Sequence, residues 1–406
     1  MNSVSNRALN RPLNRPRPRR AAALVALATV VPLALTGCGS DSGAASTASA
    51  GEVTKAEKGS AKDLSDVCPA TVVMQQDWQP EAEHGGMYSL VGEGYTVDTD
   101  KKSVTGPLVS GGVDTGVKIE VRSGGPATGF QPVPATMYLD KDILIGAVNT
   151  DAAIAAAEKQ PTVALTSQLT VSPQILMWDP KSQDGATTIA DAAKDGDPVV
   201  TAGDVIPALL ESQGMIEKKQ SDLSYEGTPQ RFVTEPTILQ QGFATAEPYI
   251  YEKEISSWGK PIGYQLLSEV GYSIYPEPIA VRAEDVEKEA DCLEKLVPVM
   301  QQAEIDYLAD PDWANGIIVD IVDRYQTGWT YSEGVAAYAA KTMTDLDLVH
   351  DDPKSGVFGQ IDGERMKQVV ETFAPIMKQA GTITSDDIDP ESLYDNRFID
   401  DSISMK

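Results

Sequence analysis

Three times in its first 160 residues the chain passes from a short apolar run into a loop of glycine and polar residues, and then into a helical pattern. The first run, Thr-Val-Val-Met at 71–74, leads into D-W-Q-P-E-A-E-H-G-G-M-Y at 77–88, with a helix expected over 81–91. The second, V-K-I-E-V at 117–121, ends in R-S-G-G-P at 122–126 and is followed by a short helix near 134–139. The third, 143–148, ends in Asn149-Thr150-Asp151 and opens an alanine-rich helix at 152–159. Strands alternating with helices build an open α/β sheet, and ligands of such sheets sit at the carboxyl ends of the strands. The first loop crowds a tryptophan, a proline, a histidine and a Gly-Gly pair between strand end and helix start, which marks it as ligand-facing.

The rest of the chain fits a second sheet and a return. Extended runs at 162–166 and 174–178 flank Ser172-Pro173, where the chain is expected to cross into a second lobe. Further strands are expected at 199–201 and 242–246, and the chain returns through 263–267 and 272–281. Beyond that it is mostly helical, and Val286, Ala290, Leu293, Val297 and Met300 form an apolar stripe in steps of four and three. Pro298 is expected to bend or interrupt that helix. Residues 96–116 read as a hairpin insertion near the cleft entrance. These boundaries place lobe one at 66–167 plus 278–406 and lobe two at 168–277, a division that 406 residues can support.

The N-terminus is an export signal over residues 1–37: six arginines, then an apolar run at 21–35 too short to span a bilayer comfortably. Its end, L-T-G-C at 35–38, resembles a bacterial lipobox, which implies lipidation of Cys38. Residues 38–65, rich in Ser, Ala and Gly, read as a flexible tether, with order beginning near Asp66. In an oxidising compartment the two remaining cysteines, Cys68 and Cys292, are expected to pair. With 33 basic against 60 acidic residues the chain carries a formal charge of -27. Such a surface repels nucleic acid and anionic headgroups.

Several chemistries lack their residues. The two histidines, His84 and His350, are far apart in sequence, and no H-E-x-x-H, cysteine cluster, P-loop or G-x-S-x-G occurs. No metal, cofactor or catalytic residue is expected, and the chain does not read as an enzyme. Binding fits better, because polar and aromatic residues recur at strand ends: Trp78, His84, Ser123, Gly124, Gly125, Asn149, Ser172, Glu247 and Tyr249. Trp78 and a tyrosine could sandwich a planar solute while Glu247 accepts hydrogen bonds from its N–H groups. The plainer alternatives are a core tryptophan and a solvated strand-end acid. Arg122 shares a strand face with Lys118 and Glu120, which points it to solvent.

The motifs W-x-P-x-x-x-H-x-G at 78–86, Gly94-Tyr95, V-x-I-E-V-R-x-G-G-P at 117–126 and Glu247-Pro248-Tyr249 together resemble the substrate-binding proteins of ABC importers in the thiamine-pyrimidine-precursor, sulfonate and nitrate group. That resemblance, covering most of 68–398, implies a two-lobed type II periplasmic-binding-protein fold with a hinge and a central ligand cleft. It places Trp78, His84 and Glu247 at or beside the cleft, and Ser123 to Gly125 in its second loop. It also implies a small-molecule solute resembling a thiamine pyrimidine precursor, an ABC permease as partner, and a monomer lipid-anchored on the extracytoplasmic face of the cell membrane. The alternatives within it are a sulfonate- or nitrate-type anion, or an extracytoplasmic enzyme or sensor on the same scaffold. Gln79, Glu81 and the 96–116 hairpin depart from the family pattern, and the cysteine- and histidine-rich iron site of its pyrimidine-synthesising relatives is absent.

Overall fold

The computed structural model describes residues 53–203, 205–225 and 227–406. Residues 1–37, expected to be an export signal, and Cys38 lie outside the described residues. Strands β1 (Thr54–Lys55), β2 (Thr71–Gln75), β3 (Thr96–Asp98), β4 (Ser103–Ser110), β5 (Val113–Arg122), β6 (Ile143–Ala147) and β7 (Thr162–Thr166) come first. The chain then builds a second sheet from β8 (Gln174–Trp178), β9 (Val199–Val200), β10 (Ser221–Asp222), β11 (Leu239–Phe243) and β12 (Gly263–Leu266), and returns to the first as β13 (Ile279–Arg282). The larger sheet has the order β3-β4-β5-β2-β6-β13-β7 with β1 beside β5, and the smaller has β10-β9-β11-β8-β12.

The parallel pairs β5–β2 and β2–β6 form the centre of the larger sheet, and β13 runs antiparallel between β6 and β7. β6 and β7 are buried along their whole length, as strands covered by helices on both faces must be. β5 instead alternates: Val117, Ile119 and Val121 are buried while Lys118 is exposed. The 96–116 segment is a continuation of the sheet rather than an appendage, since β4 pairs with β5 along most of its length and β3 forms the edge.

Order also begins earlier than Asp66. β1 pairs in parallel with the start of β5, Leu64 is fully buried, and Lys295 Nζ donates to the Ser60 and Asp63 carbonyls, so residues 54–65 are not tether. Cys68 and Cys292 form a disulfide, with Cα atoms 4.7 Å apart, that joins the entry of β2 to the helix Ala290–Ala309. That helix runs unbroken through Pro298, because the packing of its buried face outweighs the one hydrogen bond the proline removes. Among the described residues no helix is long and apolar enough to cross a membrane.

One core lies between the larger sheet and the helices Ala290–Ala309, Asp312–Tyr325 and Glu333–Asp345. A second is shared between the sheets and closes against the helix Gly363–Ala380, which packs on both Thr150–Ala156 and Val205–Ser212. Asp362 caps the start of this last helix, and Gly381 ends it in the left-handed conformation at φ 81. The carboxyl ends of β2, β5 and β6 are thereby held facing the smaller sheet.

Candidate ligand-binding site

The loop after β2 supplies the first wall. Trp78 is half-buried, with the exposed ring of Phe130 leaning on it at 6.0 Å between centroids. Glycines from both lobes also approach it. A Cβ on Gly125 would stand 2.9 Å from Trp78 Cε3, and one on Gly227 would stand 3.6 Å from Cζ2. Gly125 also has φ 56, so the close approach and the left-handed backbone both call for glycine there.

Other expected residues have different duties. The amides of the second loop are not free for a ligand: Gly124 N donates to the Trp78 carbonyl at 2.7 Å, Gly125 N to that of Asp77 at 3.0 Å, and Ser123 N to that of Lys102. Ser172 turns its hydroxyl to the Gln174 amide at the entry of β8. Tyr249 packs against Tyr338 at 5.5 Å between ring centroids, tilted by 36°, and lies over Gly334, a contact between lobes rather than an open wall. Arg122 is neutralised by Glu120 at 2.7 Å and Asp140 at 2.8 Å.

Glu247 lies at the end of the smaller sheet, where its Oε2 accepts from Phe243 N at 2.6 Å. It is only partly exposed, and burial lifts its pKa to about 7. Tyr225 lies close enough to Glu247 and Glu81 for both charges to raise its own pKa, after burial. Trp78, Tyr225 and Glu247 thus mark the two sides of one space.

Beneath them is a cluster that sequence reasoning missed. His84 is 2% exposed, and its Nε2 stands 3.1 Å from Asp77 Oδ1 and 3.0 Å from Glu277 Oε2. One Nε2–H thus faces two carboxylate oxygens at once. Asn149 joins the two acids: its Nδ2 donates to Asp77 Oδ2 at 2.8 Å and its Oδ1 accepts from Glu277 N at 3.1 Å. Glu81, Glu83 and Glu304 are buried around this centre, with unpartnered oxygens at Glu81 Oε1, Glu83 Oε2 and both oxygens of Glu304. Gly86 makes room for the Glu304 carboxyl and the Gln168 amide, and a methyl there would collide with both.

Burial raises the pKa of every one of these glutamates, Glu277 to about 7 and Glu304 to about 8. For His84 burial acts in the opposite sense, but the Glu277 and Asp77 carboxylates outweigh it and hold the imidazole protonated. His84 is the cation with a sizeable effect on the cluster. The two lobes meet here as well, through the Thr245 hydroxyl on Glu83 Oε1 and Tyr272 on Asp151 Oδ2.

Two signals for the cluster were present in the sequence. Glu304 falls on the stripe of four- and three-residue steps where an apolar residue belongs, and Glu277 stands between Pro276 and Pro278. The donors Asp77, His84 and Glu277 come together only through the return of the chain to the larger sheet, so no short spacing motif records them.

No family model matches the sequence, and no curated protein is significantly similar to it. Solved structures do share its architecture. A protein from Bordetella bronchiseptica superposes with a TM-score of 0.51 at 13% identity, over 81% of this chain and 96% of its own. The periplasmic aliphatic sulphonate binding protein of Escherichia coli gives 0.50 at 12% identity, over 80% and 92%. The chain has the two-lobed fold of the periplasmic binding proteins, as its motifs implied.

Proposed function

We propose that this chain is an extracytoplasmic solute-binding protein that delivers a small organic solute to an ABC-type importer, held at the membrane by a lipid on Cys38. The observation that carries this reading is the position of Trp78, seated between Gly125 of one lobe and Gly227 of the other, two residues along the chain from Tyr225, which in turn neighbours Glu247. A planar solute stacked on Trp78 would touch both lobes at once, and only a solute with contacts to both can favour the closed arrangement. The closed surface is then what a permease distinguishes from the open one.

The acids around the site favour a solute that carries N–H donors or a positive charge, in keeping with an aminopyrimidine of the thiamine-precursor type. An anion such as a sulfonate would have to be desolvated among acidic side chains beside His84, and Arg122 is already paired. Native mass spectrometry of the purified protein tests this. A co-purified small molecule bearing amino groups is expected, with a thermal shift from aminopyrimidines and none from sulfonates. A shift from sulfonates alone would overturn the solute class.

A further inference from the structure

We propose that Asp77, His84 and Glu277 form a binding site for one divalent transition-metal ion, with Zn²⁺ as the reference ion. The three donor atoms all lie within 4.8 Å of one another. The Nε2–Oδ1 and Nε2–Oε2 separations of 3.1 and 3.0 Å are close to the roughly 3.3 Å between donors that tetrahedral bonds of about 2.0–2.1 Å require, and the two carboxylate oxygens must come to the same spacing on binding.

A hydrogen-bonded ion pair explains the site less completely. One Nε2–H stands 3.1 Å from Asp77 Oδ1 and 3.0 Å from the buried Glu277 Oε2 and can point fully at only one of them, so the pair of carboxylates is left short of a donor. A cation between them would bind all three donors. The acids are also positioned from outside: Asn149 holds both Asp77 and the Glu277 backbone, and Glu277 adopts φ 51 between two prolines, a conformation unusual for a residue with a side chain. Around the three donors, Glu81, Glu83 and Glu304 keep unpartnered carboxyl oxygens, and a dication would favour their ionised forms.

An imidazole with two carboxylates suits Zn²⁺, Mn²⁺ or Co²⁺ better than the all-oxygen shell of Ca²⁺, and three protein donors leave a position for water or a solute atom. His84 Nδ1 has no partner among the described residues. The imidazole therefore lacks the usual outer buttress, which lowers the expected affinity by about 10–100-fold relative to a buttressed site.

The test needs no solute, so its failure leaves the solute-binding reading standing. Chelator-stripped protein is titrated with ZnCl₂, MnCl₂ and CaCl₂ by calorimetry, and retained metal is counted after gel filtration. One Zn²⁺ per chain is expected, preferred over Ca²⁺, with Kd raised at least ~10-fold in His84→Gln and in Glu277→Gln. Glu277→Gln is the same shape and keeps an oxygen able to face His84, so it carries the test where the His84 variant fails to fold. Absence of stoichiometric Zn²⁺, or equal affinity in wild type and the folded variants, would overturn the proposal by placing the ion on the many surface acids.

Discussion

Glu304 continues the spacing that buries Leu293, Val297 and Met300, so the helix carries its carboxyl into the protein. The backbone NH of Gly86 approaches it without hydrogen-bond geometry, and burial lifts its pKa from 4.5 to about 8. Between those values the folded chain keeps a proton that the unfolded chain has released, so stability falls as pH rises through this window. His84, with its pKa raised, acts in the same sense, because its contribution is lost as pH rises through the folded value. The thermal midpoint of the solute-free protein should be higher near pH 5.5 than near pH 8.5. Glu304→Gln should flatten that dependence by removing an ionisation penalty of roughly 3–5 kcal/mol at the alkaline end. Trp78 gives the complementary prediction. Its ring is only half-buried, so Trp78→Ala should weaken solute binding about tenfold or more while destabilising the fold by less than the roughly 3–5 kcal/mol of a core aromatic. The sequence announced Trp78 through its loop, but it hid Glu304 behind a helical pattern that otherwise marks core packing.

Among the elements, β5 was readable because Val117, Ile119 and Val121 alternate with polar residues, and β2 and β6 because their runs are continuously apolar. β1 was not readable: two residues carry no periodicity, and only its pairing with β5 and the burial of Leu64 reveal that 54–65 is ordered. The second loop shows a further limit. Its glycines suggested amides free for a ligand, yet Gly124 and Gly125 bind the backbone of the first loop and so fix the seat of Trp78. The disulfide was expected from counting cysteines, and it spans a sequence separation of 224 residues. Replacing Cys68 and Cys292 together with serine should lower stability by about 2–5 kcal/mol in urea unfolding, with reductant having the same effect on the wild type.

For the molecule as a whole, the order of strands along the chain foretold two sheets with an excursion and a return, because strand–helix alternation limits the possible topologies. It could not foretell which side chains meet between them, since the Glu83–Thr245 and Asp151–Tyr272 contacts join residues more than a hundred positions apart. Thr245→Val removes a donor from a buried carboxyl and should weaken solute binding about fivefold through a less favourable closed state, an effect of about 1 kcal/mol. The helix Gly363–Ala380 packs on helices beside both sheets, so opening is expected at the Trp78 side of the molecule. All of this depends on one solute lying between the lobes against Trp78. Calorimetric titration of the co-purified solute into wild type, Trp78→Ala and Glu247→Gln decides it: the account predicts one site per chain, weakened about tenfold or more in each variant. Binding of equal strength in all three proteins would contradict it.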